Sequence, residues 1–202
     1  MKKEEYFIYG EKEIRHLRER DKVLGEWIIE RGVIKRPVDS DLFESLIDAI
    51  VGQQISSKAH ATVFRRMKDR FSITAEGLGE VSREDLQRCG ITMRKANYIK
   101  GITDAVLSGE IDLEKIKEMA DEDVIKTLVK LKGIGKWTAE MLMIFSLKRP
   151  DIISYDDLAI RRGMMKLYKH RDITPELFEK YRRRYSPYSS VASLYLWEKS
   201  KE

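Results

Sequence analysis

Apolar residues along this chain recur at three- and four-residue spacing almost throughout, and no stretch sustains the one-by-one alternation of a half-buried strand. Helices separated by short polar turns are therefore predicted. Ile14, Leu17, Val23, Leu24, Trp27 and Ile28 form an apolar stripe through the charged stretch Glu11 to Glu30, predicting a helix in two pieces that ends near Gly32. Pro37 marks a boundary, and Ser40 or Asp41 caps the next helix, which carries Leu42, Phe43, Leu46, Ile47, Ile50 and Val51. That helix stops at Gly52-Gln53-Gln54-Ile55-Ser56, and another opens at Ser56 or Ser57 to bury Ala59, Val63, Phe64 and Met67. Short helices follow: one capped at Ser82 and stopped by Gly90, one from Met93 to Leu107, one over Glu114 to Met119, and one opened by Asp121. Val124, Ile125, Leu128 and Val129 lead into Leu131-Lys132-Gly133-Ile134-Gly135-Lys136, and Trp137, Met141, Ile144 and Phe145 lead out. After Lys148-Arg149-Pro150-Asp151 the run Ile152 to Tyr155 reads as extended, and Asp156-Asp157 opens a helix through Leu158, Ile160, Met164, Met165 and Leu167. Thr174-Pro175 and Ser186-Pro187 each pair a capping residue with proline at the first helical position and start the last two helices. The prediction is an all-α chain of roughly ten helices, with residues 1–202 forming a single domain.

Composition narrows the classes. Hydrophobic residues make up 42% and charged residues 36% of 202, as expected of a globular protein with a core. The net charge of +5 permits a polyanionic partner without requiring one. Cys89 is the only cysteine, which excludes an internal disulfide framework, a four-cysteine zinc site and an iron–sulfur cluster. His16, His60 and His170 show no ligand spacing and read as surface or capping residues. No apolar run approaches the roughly 18 residues of a membrane span, and Met-Lys-Lys-Glu-Glu at the start has no signal-peptide core. An intracellular protein without a membrane partner is expected, cytoplasmic and nucleoid-associated if prokaryotic.

The two glycines at 133 and 135 carry the candidate chemistry. A glycine-rich turn between helices leaves bare backbone N–H groups at the start of the second helix, a partial positive charge suited to phosphate. A P-loop is excluded, because Lys136 is followed by Trp137 and the flanks are helical. A dinucleotide fingerprint is excluded by Thr138 in the place of its third glycine. Leu-x-Gly-Ile-Gly between helices instead resembles the helix-hairpin-helix element of DNA-binding proteins. Eighteen residues after Gly133 comes Asp151, and shortly after it Ser154-Tyr155-Asp156-Asp157-Leu158-Ala159-Ile160-Arg161-Arg162. A hairpin followed at this interval by an aspartate opening a helix is similar to the helix-hairpin-helix DNA glycosylase superfamily. Gly-Gln-Gln-Ile-Ser at 52–56, Gly-Ile-Gly-Lys-Trp-Thr-Ala at 133–139 and Ser-Pro-Tyr-Ser-Ser-Val-Ala at 186–192, followed by Leu-Tyr-Leu-Trp, resemble its alkylpurine branch, the 3-methyladenine DNA glycosylase II group. The resemblance covers residues 10–200, and the chain has no room for the N-terminal β-containing domain that some members carry.

The resemblance implies two helical lobes with the active site in the cleft between them, and a monomer acting on double-stranded DNA that contains a damaged base. Base flipping is implied, with Gln53, Gln54 and Ile55 as the wedge that fills the gap. On local sequence alone the same residues read as a solvated loop. Gly133, Gly135, Lys136 and Thr138 would hold a phosphate, with Arg161 and Arg162 as further phosphate contacts. Otherwise these arginines, with Lys166 and Arg182-Arg183-Arg184, are a solvated face. Hairpins of this kind often bind Na+ or K+ through backbone carbonyls, which here would be those of Val129, Leu131 and Ile134. No other cofactor is implied.

A glycosidic bond that breaks with positive charge building on the sugar needs a fixed carboxylate beside it. Asp156 and Asp157 are the candidates. One of them reads equally well as a helix N-cap, and matching the family's aspartate selects Asp157 for catalysis. Trp137 stands where relatives that also cut the strand carry a lysine for a Schiff base, so a glycosylase without lyase activity is implied. Lys136 points about 100° away on the helix. Trp137, Met141 and Tyr188 are the implied base-pocket residues, each with ordinary packing as its alternative. An electron-rich indole favours cationic N3- and N7-alkylpurines. Met141 departs from the aromatic that some relatives have there. Rival readings are a glycosylase for uracil, a mismatched pyrimidine or an oxidised purine, a non-catalytic DNA-binding module, and a helical protein-interaction domain.

Overall fold

The computed structural model describes residues 4–202, and among them the chain is helical with one minimal strand pair. The residues divide into two compact units, one of Asp39–Leu142 and the other of the chain up to Val38 together with Met143–Glu202. No helix is long and apolar enough to cross a membrane among the described residues.

The first unit holds α3 (Leu42–Gly52), α4 (Ser57–Arg70), α5 (Ala75–Gly79), α6 (Arg83–Arg88), α7 (Met93–Leu107), α8 (Leu113–Glu118), α9 (Asp121–Leu128) and most of α10 (Lys136–Phe145). Its helix starts follow local capping chemistry. Asp41, Ser56, Thr74, Ser82, Thr92 and Asp112 each accept a hydrogen bond from a first-turn backbone N–H. Leu46, Ile47, Ile50, Met67, Leu86, Ile99 and Leu128 fill the core. Two expectations change here. Asp121 is the first residue of α9 and not its cap, which is Ala120. Ala59 is exposed, because the first turn of α4 stands clear of the core that Val63, Phe64 and Met67 enter.

The second unit holds α1 (Glu11–Arg20), α2 (Lys22–Arg31), the end of α10, α11 (Leu158–Tyr168), α12 (Pro175–Tyr185) and α13 (Ser189–Lys201). A two-residue antiparallel pair, β1 (Glu5–Tyr6) with β2 (Pro37–Val38), joins its N-terminal segments. Asp21 both breaks the first helix pair and caps α2, accepting from the Leu24 N–H at 3.0 Å. Helices α11 and α13 press together closely enough that a Cβ on Gly163 would lie 2.1 Å from the Leu196 carbonyl oxygen. Among the described residues there are thirteen helices, more than the roughly ten that periodicity suggests. Pieces as short as the five residues of α5 are too brief to show a period.

One boundary is corrected. Pro187 does not start the last helix; α13 begins at Ser189. Ser186 instead caps the end of α12, and the N-terminus of α13 is served from far along the chain. The Asp151 carboxylate accepts from the Ser189 N–H at 3.2 Å and from the hydroxyls of Ser186 and Ser189. A remote aspartate does here what a local capping residue does elsewhere.

Candidate active site

The glycine turn between α9 and α10 is built in two steps. The Leu131 N–H donates to the Leu128 carbonyl and the Ile134 N–H to the Leu131 carbonyl, which closes the turn. The Ala139 N–H then donates to the Gly135 carbonyl at 2.9 Å, which opens α10. The two glycines have different reasons to be glycine. Gly133 has φ +95°, and a Cβ there would lie 2.6 Å from a ring carbon of Tyr98 and 2.7 Å from Ile50 Cδ1. Its own fold demands it. Gly135 has nothing within 4 Å of a would-be Cβ and no positive φ, so packing places no demand on it. Bare backbone at the start of a ten-residue helix suits a surface that approaches from outside.

Around the turn, Lys136 is exposed with its Nζ 3.8 Å from Glu140 Oε1. The Thr138 side chain is buried, so any part it takes in holding an anion rests on its backbone N–H. Trp137 is 46% exposed, which removes the core-packing alternative for this indole. Met141, one turn on, is half-buried.

The residues between α3 and α4 separate into two roles. The Gln53 side chain donates from Nε2 to the Gly133 carbonyl at 2.7 Å. Grouped with the wedge on sequence, Gln53 is turned to the hairpin and ties the two loops together, because its amide finds a half-buried carbonyl there. Gln54 is exposed with φ +56°, uncommon for a residue with a side chain. Ile55 is 39% exposed. The wedge candidates on the surface are thus Gln54 and Ile55.

In the other unit, Asp157 is 7% exposed and is the N-cap of α11. Its Oδ1 accepts from the Ala159 and Ile160 N–H groups at 2.8 and 2.9 Å, and its Oδ2 accepts from Trp197 Nε1 at 3.2 Å. Asp156 is exposed. Capping and candidate catalysis therefore fall on one residue and are not divided between the pair. Trp197 is itself fixed, stacked on Phe145 at 5.4 Å with the Arg36 guanidinium over both rings.

The strap that carries Asp157 is stitched to α13. Ser190 Oγ donates to the Arg149 carbonyl at 2.6 Å and accepts from the Ile152 N–H at 3.0 Å, and Ser193 Oγ lies 3.2 Å from the Ile152 carbonyl. Ser190, Ser193 and Trp197 sit three and then four residues apart, so one stripe of α13 holds the strap at both ends. In the sequence Trp197 stands out only as the end of the Leu-Tyr-Leu-Trp run in the last helix. The signal that points further is chemical: a tryptophan in an apolar stripe still carries an N–H that needs a partner.

The arginines also sort themselves. Arg161 is half-buried, its guanidinium 5.0 Å from the centre of the Tyr155 ring. Arg162 is exposed. Arg182 and Arg183 bind Glu179, whose carboxyl they hold down at about 2, with the Arg182 hydrogen bonds the largest cause. Arg184 bonds Asp21 at 3.0 Å. This arginine run is mostly a paired surface. Tyr188 is half-buried, edge-on to His16 at 5.2 Å, with Lys12 Nζ 5.9 Å from its ring centre.

A helical fold, a helix–glycine turn–helix and an aspartate capping the helix after it define a recognisable class. The chain belongs to the HhH-GPD superfamily of base excision DNA repair proteins, whose profile matches residues 47–187. It is 35% identical over 187 residues to the DNA-3-methyladenine glycosylase 1 of Schizosaccharomyces pombe, an alignment covering 89% of this chain and 80% of that protein. Its structure is similar to that of a DNA-3-methyladenine glycosidase from Bacillus halodurans, with a TM-score of 0.89 and 34% identity over 97% of this chain and 92% of the other. It is also similar to the Schizosaccharomyces pombe 3-methyladenine DNA glycosylase Mag1 in complex with abasic DNA, with a TM-score of 0.81 and 33% identity over 95% of this chain and 98% of that one.

Proposed function

We propose that this chain is a monofunctional DNA glycosylase of base excision repair. It takes an alkylated purine of the 3-methyladenine or 7-methylguanine type out of duplex DNA and hydrolyses its N-glycosidic bond, leaving an abasic site. The observation that carries this reading is Asp157: a buried carboxylate held in place by two backbone N–H groups and an indole N–H. Relatives named for this activity support the choice of base.

In this reading the C1′–N bond breaks and its electron pair leaves with the base. An N3- or N7-alkylated purine carries a positive charge that this pair neutralises, so departure needs little acid catalysis. Positive charge builds on the sugar, and the fixed Asp157 carboxylate stabilises it. Water adds to C1′, and the proton it loses passes to solvent, so the positive charge that the base carried leaves as that proton. Trp137, with Met141 and Tyr188, is assigned to the base, the indole face favouring a cationic ring. Gln54 and Ile55 are assigned to the gap in the duplex. The N–H groups of Gly133, Gly135, Lys136 and Thr138 are assigned to a phosphate, and exposed Arg162 to another. Arg161, stacked on Tyr155, has the weaker claim of the two arginines. The chain acts as a monomer on double-stranded DNA.

The carbonyls of Val129, Leu131 and Ile134 are the donors for a Na+ or K+ at the hairpin. The Ile134 N–H takes one lone pair of the Leu131 oxygen and leaves the other, which fits a hard monovalent ion.

Duplexes carrying a single defined lesion, incubated with the protein and then treated with alkali, test the reading. Expected are strand breaks at 3-methyladenine or 7-methylguanine only after alkali. Cleavage without alkali that borohydride traps would overturn the monofunctional assignment. Release of uracil or an oxidised purine alone would move the substrate to another lesion.

Trp197→Phe tests the geometry around the carboxylate. Phenylalanine keeps the stacking on Phe145 and removes the donor to Asp157 Oδ2. A hydrogen bond to a charged group is worth about 1.5–3 kcal/mol, so single-turnover excision is expected to fall about tenfold or more. Unchanged single-turnover kinetics would separate the indole from the chemistry.

A further inference from the structure

The loop between α3 and α4 is held from a second side. Lys95, half-buried on α7, donates from Nζ to the Val51 carbonyl at 2.8 Å and to the Gln53 carbonyl at 2.6 Å. These lie at the C-terminal end of α3, where carbonyl oxygens gather partial negative charge and a cation is favoured. The next residue, Gln54, takes the left-handed conformation, and the Gln53 side chain reaches the Gly133 carbonyl. One continuous line of bonds thus runs from Lys95 through the loop backbone to the hairpin. Burial pushes the Lys95 ammonium below the usual lysine range, so the site holds this cation against a desolvation cost that the carbonyls offset.

Lys100, five residues further along α7, does the same chemistry elsewhere. Its Nζ donates to the Leu78 carbonyl at 3.0 Å and to the Gly79 carbonyl at 2.6 Å, closing α5. The end of α5 has no part in the site described above. Lys100 therefore shows what a lysine cap contributes to the fold when no functional loop follows it.

We propose that Lys95 is a positioning residue for base extrusion: it fixes the Gln53 backbone so that Gln54 and Ile55 are presented to the duplex in constant register with the phosphate-holding hairpin. The proposal rests on the glycosylase reading. Its consequence is selective. Extruding a paired base requires the wedge, whereas a base with no partner has already lost part of what holds it in the stack.

The test compares single-turnover release of 7-methylguanine from two duplexes, one with cytosine opposite the lesion and one with an abasic analogue opposite. In Lys95→Met the rate on the paired duplex is expected to fall about tenfold, and the rate on the unpaired one to change little. Gln53→Met, which cuts the line at its other end, lowers the same ratio, and the double variant is no worse than the more damaged single variant. Lys100→Met lowers the melting temperature and leaves the ratio as in the wild type. Equal loss on both duplexes in Lys95→Met, loss on neither, or an equal shift of the ratio in Lys100→Met overturns the proposal. Should Lys95→Met fail to fold, Gln53→Met decides by the same criterion. A wild-type chain that releases no 7-methylguanine from either duplex overturns the glycosylase reading for this base and the Lys95 proposal with it. Normal wild-type release with an unchanged ratio in the variants overturns the Lys95 proposal alone.

Discussion

Asp157→Asn is expected to stop base excision while leaving a folded protein that still binds DNA. Asparagine caps helices about as well as aspartate, so the bonds to the Ala159 and Ile160 N–H groups have a substitute acceptor. The substitution is not free of cost. An amide has one oxygen, and with that oxygen turned to the helix its NH2 group meets the Trp197 N–H, donor against donor. A loss of about 1–2 kcal/mol in stability is expected from that mismatch. The catalytic loss is far larger, because removing a preorganised charge from the developing cation costs about a thousandfold in rate. Asp157→Ala separates the roles from the other direction. It removes the cap and the charge together, and should lose about 1–3 kcal/mol while being no more active than the asparagine variant. Thermal unfolding and single-turnover excision on one set of samples check both. Full activity in Asp157→Asn would falsify the catalytic assignment and leave Asp157 a helix cap only.

Substitutions at the two hairpin glycines should have opposite consequences. Gly133→Ala drives a methyl group into Tyr98 and Ile50 and places a side chain at φ +95°. Overpacking and the left-handed backbone together cost about 2–4 kcal/mol. For a chain of this size the melting temperature is expected to fall by about 5–15 °C. Gly135→Ala meets open space and should melt like the wild type. What it should lose is DNA binding, by about tenfold on an abasic duplex, because the methyl group keeps a phosphate from the backbone N–H groups at the start of α10. Wild-type binding by Gly135→Ala would remove the phosphate from this turn. Wild-type melting by Gly133→Ala would mean that Tyr98 and Ile50 yield readily.

Much of this was legible in the chain. Helix starts at Asp41, Ser56, Ser82, Thr92 and Thr174 follow from local capping chemistry, because the donor and acceptor lie within three residues of each other. The same logic misplaced the start of α13. Its first N–H is taken by Asp151, which lies 38 residues before Ser189. Spacing rules carry no information about a partner that far away. The glycine pair was visible as a motif, but the two residues look alike in sequence. The folded chain tells them apart: Tyr98 from α7, Ile50 from α3 and a φ of +95° make Gly133 glycine for the fold, whereas Gly135 faces open space.

The sequence by itself determined the helical class, the glycine turn, the absence of an amine at Trp137 and the aspartate pair that opens α11. Each is set by residues adjacent in the chain, where covalent geometry limits the alternatives. The tertiary structure decided which aspartate carries the cap, that Trp197 reaches it, that Gln53 serves the hairpin and leaves Gln54 and Ile55 exposed, and that Lys95 anchors that loop. Those are contacts between residues 40, 80 and 42 apart in the chain, the first between two side chains and the others from a side chain to a backbone carbonyl. Their partners are chosen by which donor and acceptor the packed helices bring within reach, and that choice exists only once the chain has folded.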